Sequence, residues 1–308
     1  MSVVAGLMGL CVGDALGVPV EFTSRSQRQS APVTAMQGYG TWNQPPGTWS
    51  DDSSLTFCLA ESLCGGFDLS DIADKFCRWY RDSYWTARSE TFDVGNATRA
   101  AIERLQQGVP PLQAGGTSDR SNGNGSLMRI LPLAFFHTQL AFADLIDRVH
   151  QVSCITHAHP RSQMACGIYV AIAVALLQGH EPLTAYRTGL ARVVPLYQRS
   201  PFQAEQPHFD RILRGDVHQQ PIEAIASSGY VIDTLEAALW CLLNHPSYAE
   251  AVLTAVNLGD DTDTTAAVTG GLAGLYYGFD AIPTPWVAAI ARSNDVIDLA
   301  TRLAAACA

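Results

Sequence analysis

Apolar residues recur along most of this chain at the three- and four-residue spacing of one helix face. Alternation of apolar and polar residues between turn signals, which indicates a strand, is hard to find. The pattern predicts twelve helices, over residues 2–17, 51–64, 70–82, 93–107, 126–136, 141–155, 162–178, 183–193, 231–244, 247–256, 264–277 and 284–305. The proline- and glycine-containing segments between them are too short and too varied to be interdomain linkers. We therefore predict a single all-α domain over residues 1–308.

Glycines at four-residue intervals mark two of the predicted helices. They are Gly9, Gly13 and Gly17 in the first helix, and Gly270, Gly274 and Gly278 in the second. Residues at i and i+4 share a helix face, so each series leaves a line without side chains. Because glycine destabilises a helix by about 1 kcal/mol relative to alanine, its repeated use indicates close contact between two helices. Both helices carry acidic residues near one end, so such contact would bring carboxylates together.

The composition excludes several classes of function. The 308 residues are 47% hydrophobic and 16% charged, with a formal net charge of -10. Lys75 is the only lysine, so the chain has no Gly-Lys pair for a P-loop, and Schiff-base chemistry would depend on that one residue. A net negative chain without a basic stripe is not expected to bind nucleic acid. What the composition favours instead is chemistry based on aspartate, which supplies twenty of the 29 acidic residues.

The cysteines and the apolar segments indicate the compartment. The eight cysteines form no C-x-x-C pair and are scattered through helical patterns, which is typical of reduced core thiols. No apolar run reaches the roughly 20 residues that span a bilayer. Asp14 interrupts the apolar N-terminus, which we interpret as a buried helix rather than a signal peptide. We expect a monomeric cytoplasmic protein that does not bind membranes.

Two acidic clusters stand directly before apolar helical runs, Ser50-Asp51-Asp52-Ser53 and Asp260-Asp261-Thr262-Asp263-Thr264. Such residues cap helices, and this is one interpretation. The other is a cation site, because five carboxylates at two helix starts repel one another unless they are neutralised. Oxygen donors without histidine or cysteine suit Mg²⁺, Mn²⁺ or Ca²⁺, and paired hard cations usually serve hydrolysis or phosphoryl chemistry. An EF-hand is excluded, because Ala266 and Leu272 occupy the positions of its glycine and bidentate glutamate.

A third segment, Gly123-Asn124-Gly125-Ser126, precedes another predicted helix. Ser126 is suited to cap that helix. Alternatively, the exposed backbone N–H groups of the segment are suited to bind an anion such as a phosphate. The sequence leaves both interpretations open.

Five segments, in this order, resemble the ADP-ribosylglycohydrolase family over essentially the whole chain. They are Gly13-Asp14-Ala15-Leu16-Gly17-Val18-Pro19-Val20-Glu21, Pro46-Gly47-Thr48-Trp49-Ser50-Asp51-Asp52-Ser53, Gly123-Asn124-Gly125-Ser126-Leu127-Met128-Arg129, Thr156-His157, and Gly259-Asp260-Asp261-Thr262-Asp263-Thr264 followed by Gly270-Gly271. The resemblance implies a compact, orthogonally packed all-α fold with two Mg²⁺ ions in a cleft, Mn²⁺ being the alternative metal. It also implies cleavage of the glycosidic bond between ADP-ribose and a modified side chain.

The resemblance assigns the site residues position by position. The metal ligands would be Ser50, Asp51, Asp52, Asp261, Asp263 and Thr264. The family more often has threonine at the position of Ser50, and serine keeps the hydroxyl ligand. The catalytic residues would be Glu21, beside the scissile bond and followed by a mobile loop, with Asp51 and Asp93. The substrate-binding residues would be Gly123, Asn124, Gly125, Ser126, His157 and Tyr230.

The expected substrate is ADP-ribosylarginine, in a protein or in a small ADP-ribosyl compound. The segment Phe92-Asp93-Val94-Gly95-Asn96 resembles the one that places an aspartate near the guanidinium in arginine-directed members, and Gly229-Tyr230 with Asp233 resembles a stretch lining that pocket. A carboxylate pairs well with a guanidinium. Asp93 is equally suited to cap the next helix. The alternatives are hydrolysis of serine-linked or O-acyl ADP-ribose, a two-metal phosphoesterase that yields AMP, and an inactive member that serves as a binding protein.

Overall fold

The computed structural model describes residues 2–308 and is built from helices joined by loops. The α-helices are α1 Ser2–Gly17, α2 Arg25–Ser30, α3 Asp51–Leu63, α4 Leu69–Asp82, α5 Asn96–Gln106, α6 Pro111–Ala114, α7 Phe142–Cys154, α8 Pro160–Leu177, α9 Pro182–Val193, α10 Asp210–Leu213, α11 Val231–Asn244, α12 Tyr248–Asn257, α13 Thr262–Tyr277, α14 Thr284–Ala289 and α15 Ser293–Ala306. Short 3-10 helices span Val18–Val20, Gly40–Trp42, Asp119–Ser121, Leu131–Thr138, Val194–Tyr197, Phe202–Phe209, Val217–Gln219, Ile222–Ala224 and Phe279–Ala281. Within residues 2–308 the only β-pairing is three isolated bridges, so the all-α prediction is confirmed.

Two predicted helices take a different form. The segment 126–136 is not α-helical: it continues the preceding loop as turns and then becomes the 3-10 helix Leu131–Thr138. Pro132, in the first turn of that helix, has no N–H to donate. The predicted helix 284–305 divides into α14 and α15. The division follows from a distant contact, because the Ala291 N–H donates to Gly47 O at 2.9 Å and the next residue takes a left-handed φ of 53°.

Helices α1 and α13 touch backbone to backbone at the centre of the molecule. A Cβ atom added at Gly13 would lie 2.1 Å from Ala266 O, and one added at Gly9 would lie 2.4 Å from Gly270 O. The exception is Gly278, which ends α13 with a φ of 84° and has nothing within 4 Å. The predicted close contact is therefore confirmed for five of the six glycines.

The buried apolar side chains form one continuous core with α1 and α8 inside it. By length and composition alone, Ser2–Val20 and Pro160–Leu177 would be long and apolar enough to cross a membrane. In their most apolar windows, 94% and 83% of the residues are buried within the protein, as expected for central helices of a globular core. All eight cysteines are free thiols, and four of them are fully buried.

The α1–α13 contact gives a first testable prediction. We expect Gly13→Ala to lower the free energy of unfolding by about 1–3 kcal/mol, because overpacking a core has this cost and the new methyl group would meet rigid backbone atoms of Ala266. Gly65→Ala is the matched control, since its Cβ would meet only Ser62 O at 3.5 Å. Urea unfolding measures both variants. Equal losses of stability would contradict a demanding contact at Gly13.

Candidate active site

A polar cleft of about 340 Å³ contains most of the predicted site residues. It is lined by Glu21, Phe22, Asp51, Asp93, Gly95, Asn96, Ala97, Thr98, Arg120, Gly123, Asn124, Gly125, Met128, His157, Gly229, Asp261 and Thr264. The N-terminal turns of α3, α5 and α13 all reach this cleft. Helix N-termini favour negative charge, so the fold offers a favourable place for carboxylates and for an anionic ligand. A larger groove of about 760 Å³ beside α4 and α5 contains none of the predicted site residues.

Asp14, near the end of α1, is completely buried and fixes the start of α3. Its Oδ1 accepts a hydrogen bond from the Ser50 N–H at 2.9 Å, and its Oδ2 accepts from the Ser53 N–H at 3.0 Å and the Ser53 hydroxyl at 2.5 Å. Burial raises the pKa of Asp14 to about 6. The sequence reasoning did not include Asp14 among the site residues. A single carboxylate inside an otherwise apolar helix was the signal for it.

Three aspartates in and below the cleft share one arrangement: one carboxylate oxygen is hydrogen-bonded and the other is not. Asp52 Oδ2 accepts from the Ser50 hydroxyl at 2.9 Å, and Asp263 Oδ1 accepts from the Thr264 N–H at 2.9 Å. The other oxygens, Asp52 Oδ1, Asp263 Oδ2 and Asp261 Oδ1, are buried and have no hydrogen-bond partner within residues 2–308. A buried carboxylate oxygen without a donor is unfavourable. The three free oxygens therefore fit a bound cation.

The carboxylates form two adjoining groups. One oxygen from each of Asp14, Asp52 and Asp263 lies within 4.8 Å of the others, and the same holds for Glu21, Asp261 and Asp263. Asp263 belongs to both groups. Because all the donors are oxygens, the groups suit a hard divalent cation better than zinc. The predicted gathering of the two acidic clusters at one site is therefore observed.

The capping interpretation explains only part of the two clusters. Ser50 does cap α3, since its hydroxyl accepts from the Asp52 N–H at 3.3 Å. Asp261 occupies the corresponding position of α13 but makes no side-chain cap. Asp93 does not cap α5 either, because that helix begins at Asn96 with Gly95 as its cap residue. Asp93 instead has a left-handed φ of 52° and borders the cleft.

Burial and mutual repulsion raise the pKa of three acidic groups that line the cleft, Glu21, Asp51 and Asp93. Burial, followed by repulsion from Asp93 and Asp261, raises the pKa of Glu21 to about 9. Burial and then repulsion from Asp261 raise the pKa of Asp93 to about 7. The pKa of Asp51 is well above its ordinary value for the same reasons, burial first and then repulsion from Asp93. A bound cation would reverse this trend, because a nearby positive charge favours the ionised carboxylates.

The Gly123–Gly125 segment connects the cleft to the acidic groups. The Asn124 side-chain amide donates to Asp261 Oδ2 at 2.8 Å, and the Asn124 N–H donates to Gly229 O at 3.0 Å. A Cβ atom at Gly125 would lie 2.8 Å from the His157 ring, so glycine permits the close approach of loop and imidazole. The sequence predicted Asn124 as a substrate-binding residue. The structure adds that it orients Asp261.

Arg129, which is completely buried, supports this loop from inside the protein. Its guanidinium donates to Gly125 O at 2.5 Å and to the Thr156 hydroxyl at 2.7 Å. That hydroxyl in turn lies 2.8 Å from His157 Nδ1. Burial, with a contribution from the charge of Arg129, lowers the pKa of His157 to about 3, so the imidazole is neutral. Arg129 was part of the family motif, but the sequence reasoning gave it no role.

Two predicted substrate-binding side chains point away from the cleft. The Ser126 hydroxyl is buried and accepts from the Ser153 hydroxyl at 2.9 Å, and no α-helix begins there for it to cap. The Tyr230 hydroxyl accepts from Arg161 at 3.3 Å, and only the neighbouring Gly229 lines the cleft. Motif position predicted the neighbourhood of these residues but not the direction of their side chains.

The fold and the site define an all-α protein with a buried oxygen-donor cluster below a polar cleft. The chain belongs to the ADP-ribosylglycohydrolase family, whose model matches residues 2–308. It is 35% identical over 300 residues to the ADP-ribosylarginine hydrolase Tri1 of Serratia proteamaculans (strain 568), covering 96% of this chain and 77% of the relative.

Two further relatives agree with this assignment. The chain is 33% identical over 285 residues to the ADP-ribosyl-(dinitrogen reductase) glycohydrolase of Rhodospirillum rubrum, covering 91% of this chain and 87% of the relative. A solved ADP-ribosylglycohydrolase-related protein complex contains a similar chain, with a TM-score of 0.82 and 33% identity over 100% of this chain and 98% of that one. The family and enzyme class predicted from the sequence are confirmed.

Proposed function

We propose that the protein hydrolyses the glycosidic bond between ADP-ribose and an arginine side chain, with divalent cations held by the aspartates. The observation that carries this proposal is the buried, unpaired oxygen on each of three aspartates in and below a cleft suited to an anionic ligand. The names of two relatives, ADP-ribosylarginine hydrolase and ADP-ribosyl-(dinitrogen reductase) glycohydrolase, support it.

The proposed cofactor is a pair of Mg²⁺ ions, with Mn²⁺ as the alternative. The proposed ligands are Ser50, Asp51, Asp52, Asp261, Asp263 and Thr264. The position of Asp263 in both carboxylate groups supports two adjoining cations. When bound, the cations supply the positive charge that orients ribose hydroxyls and makes a nearby water more acidic.

The proposed diphosphate site is the Gly123–Gly125 loop. Within residues 2–308 the backbone N–H group of Gly125, which lines the cleft, donates no hydrogen bond, so it is available to a phosphate oxygen. The nearby N-terminal turns of three helices supply further positive potential. The neutral His157 ring borders the same loop, where a nucleotide would lie.

The side chains around the cleft supply the proposed acid–base chemistry. Glycosidic cleavage passes through an oxocarbenium-like state, which carboxylates stabilise while one acid assists the leaving group. Glu21 lines the cleft, and its burial favours the protonated form, which can donate its proton to the departing guanidine nitrogen. Asp51 lines the same cleft and can accept a proton from the attacking water. Asp93 also lines the cleft, and we assign it to pair with the guanidinium.

The charge of the cleft favours arginine as the modified residue. Of the lining residues given above, Arg120 is the only lysine or arginine, whereas four are acidic. Two of the four, Asp51 and Asp261, are assigned to the cations, so a guanidinium would pair with Asp93 beside Glu21. A neutral serine or acyl group would leave Asp93 unpaired. We also propose a cytoplasmic location, which the eight free thiols support.

The direct test offers the protein three substrates: peptides with ADP-ribose on arginine or on serine, and O-acetyl-ADP-ribose. With Mg²⁺ or Mn²⁺ we expect intact ADP-ribose to be released fastest from the arginine peptide, as measured by mass spectrometry. A chelator should reduce the rate by more than about a hundredfold, since even changes to the outer shell of a metal site reduce activity by about 10–100-fold. Restoring the metal should restore the rate.

Each other outcome of this test has a definite meaning. Faster release from serine or from the ester would favour the alternative linkages. Release of AMP would indicate a phosphoesterase. No turnover of any substrate, with either metal, would overturn the proposed hydrolase and favour a binding protein.

A further inference from the structure

Phe22, directly after Glu21, places an aromatic ring at the cleft where the fold gains little from it. The residue is 66% exposed, and its backbone has a φ of 63°. Bulky residues rarely adopt this left-handed conformation, which glycine and asparagine tolerate better. The Phe22 N–H donates to Asp260 O at 2.7 Å, which holds the conformation in place. An exposed residue in an unfavourable conformation points to a role outside folding.

Phe22 belongs to a row of three aromatic residues, with Trp42 and Phe92, that we name the aromatic wall. The Phe22 and Trp42 ring centroids lie 6.3 Å apart, and those of Trp42 and Phe92 lie 5.5 Å apart. Phe22 lines the cleft, and the other two rings are connected to the proposed leaving-group carboxylates. The Trp42 indole N–H donates to Glu21 Oε2, and Phe92 directly precedes Asp93 in the chain.

The wall and these carboxylates together match the chemistry of an arginine side chain. A guanidinium is a planar cation that stacks on aromatic rings and pairs with carboxylates. Its methylene chain gains from contact with apolar surface. A serine side chain offers neither the charge nor the chain length. Charge and shape at this side of the cleft therefore favour an arginine side chain over a serine side chain.

We propose that the aromatic wall binds the arginine side of the substrate, an inference that rests on the proposed function. The guanidinium and methylene groups of the modified residue, with the adjoining polypeptide, would lie against Phe22, Trp42 and Phe92. Phe22 is then a specificity-determining residue, which accounts for a phenyl ring held outside the core. The ADP-ribose moiety lies against the Gly123–Gly125 loop and does not depend on the ring.

Phe22→Asn tests this proposal, because asparagine tolerates the left-handed backbone but lacks the ring. We expect the KM for an ADP-ribosylarginine peptide to rise about threefold to tenfold, the range of a partly exposed cation–aromatic contact, with the change carried by KM rather than kcat. Calorimetry should give the same Kd for ADP-ribose in variant and parent. Phe22→Tyr, which keeps the ring, should restore the parent KM.

Leu112→Asn is the matched control, since Leu112 is 51% exposed and lies outside the cleft; its KM should equal that of the parent. An unchanged KM in Phe22→Asn, with an active parent, would overturn the role of the wall. An equal rise in the KM for the peptide and the Kd for ADP-ribose would also overturn it, because the ring would then contact ADP-ribose. An inactive parent would instead overturn the proposed function.

Discussion

Asp263→Asn is expected to lower kcat/KM by more than about a hundredfold and to abolish the stabilisation of the folded protein by Mg²⁺ or Mn²⁺. Asparagine has nearly the same shape, and its amide oxygen can still accept from the Thr264 N–H, so the start of α13 is preserved. What is lost is the charge of a completely buried carboxylate that belongs to both acidic groups. Asp263 is the residue that the two groups share, so this one substitution removes negative charge from both while leaving the helix start intact.

Thermal unfolding with and without metal measures the second part of this prediction. A ligand at 100 times its Kd stabilises a protein by about 2.7 kcal/mol. The parent should show this stabilisation and Asp263→Asn should not. Asp280→Asn, which removes an exposed aspartate away from the cleft, should behave like the parent. Full metal stabilisation in Asp263→Asn would show that the cation binds elsewhere.

The stabilisation by metal should also depend on pH. Burial raises the pKa of both Asp52 and Asp263 well above the ordinary value. An acid with a raised pKa in the folded state destabilises the protein as pH rises above its unfolded value, because the charged form is disfavoured in the fold. Protons and cations compete for these oxygens. Metal should therefore stabilise the protein more at about pH 8 than at about pH 5.

The fold could be predicted from the sequence wherever local periodicity decides the structure. The contact between α1 and α13 was also predictable, because glycines at four-residue spacing indicate close packing whatever the partner. The prediction differed from the structure where distant contacts decide. The gap between α14 and α15 depends on the hydrogen bond from Ala291 to Gly47, which lie far apart in the chain. Periodicity carries no information about such a bond.

The candidate site shows the same difference between features set by the local sequence and features set by distant contacts. The two acidic clusters could be predicted from the sequence, because each stands at a helix start and is too rich in charge to be only a cap. The residues that orient these clusters could not be predicted in this way. Asp14 reaches the start of α3, and Asn124 reaches Asp261, through hydrogen bonds between segments remote in sequence. Family motifs located Ser126 and Tyr230 near the loop, but side-chain direction depends on the packing around them.

Glu21→Gln is expected to lower kcat by about 10²–10⁴-fold, the usual contribution of a general acid or base. The Trp42 indole, which donates to Glu21 Oε2, can donate equally to the glutamine side-chain oxygen. The wall and the cleft are therefore preserved, and the substitution removes the carboxyl group that donates the proton in the proposed step. KM for the arginine peptide should change much less than kcat.

Measuring how strongly metal stabilises Glu21→Gln distinguishes a metal ligand from a proton donor at this position. One Glu21 oxygen lies within 4.8 Å of oxygens from Asp261 and Asp263, so a metal ligand and a proton donor are both compatible with the geometry. As a proton donor, Glu21→Gln keeps the full stabilisation by Mg²⁺ while losing turnover. Loss of both would make Glu21 a ligand. Glu103→Gln, the same substitution on the exposed side of α5, should change neither quantity. If the variant loses turnover but is still stabilised by metal, Glu21 is the general acid and the aspartates bind the cations.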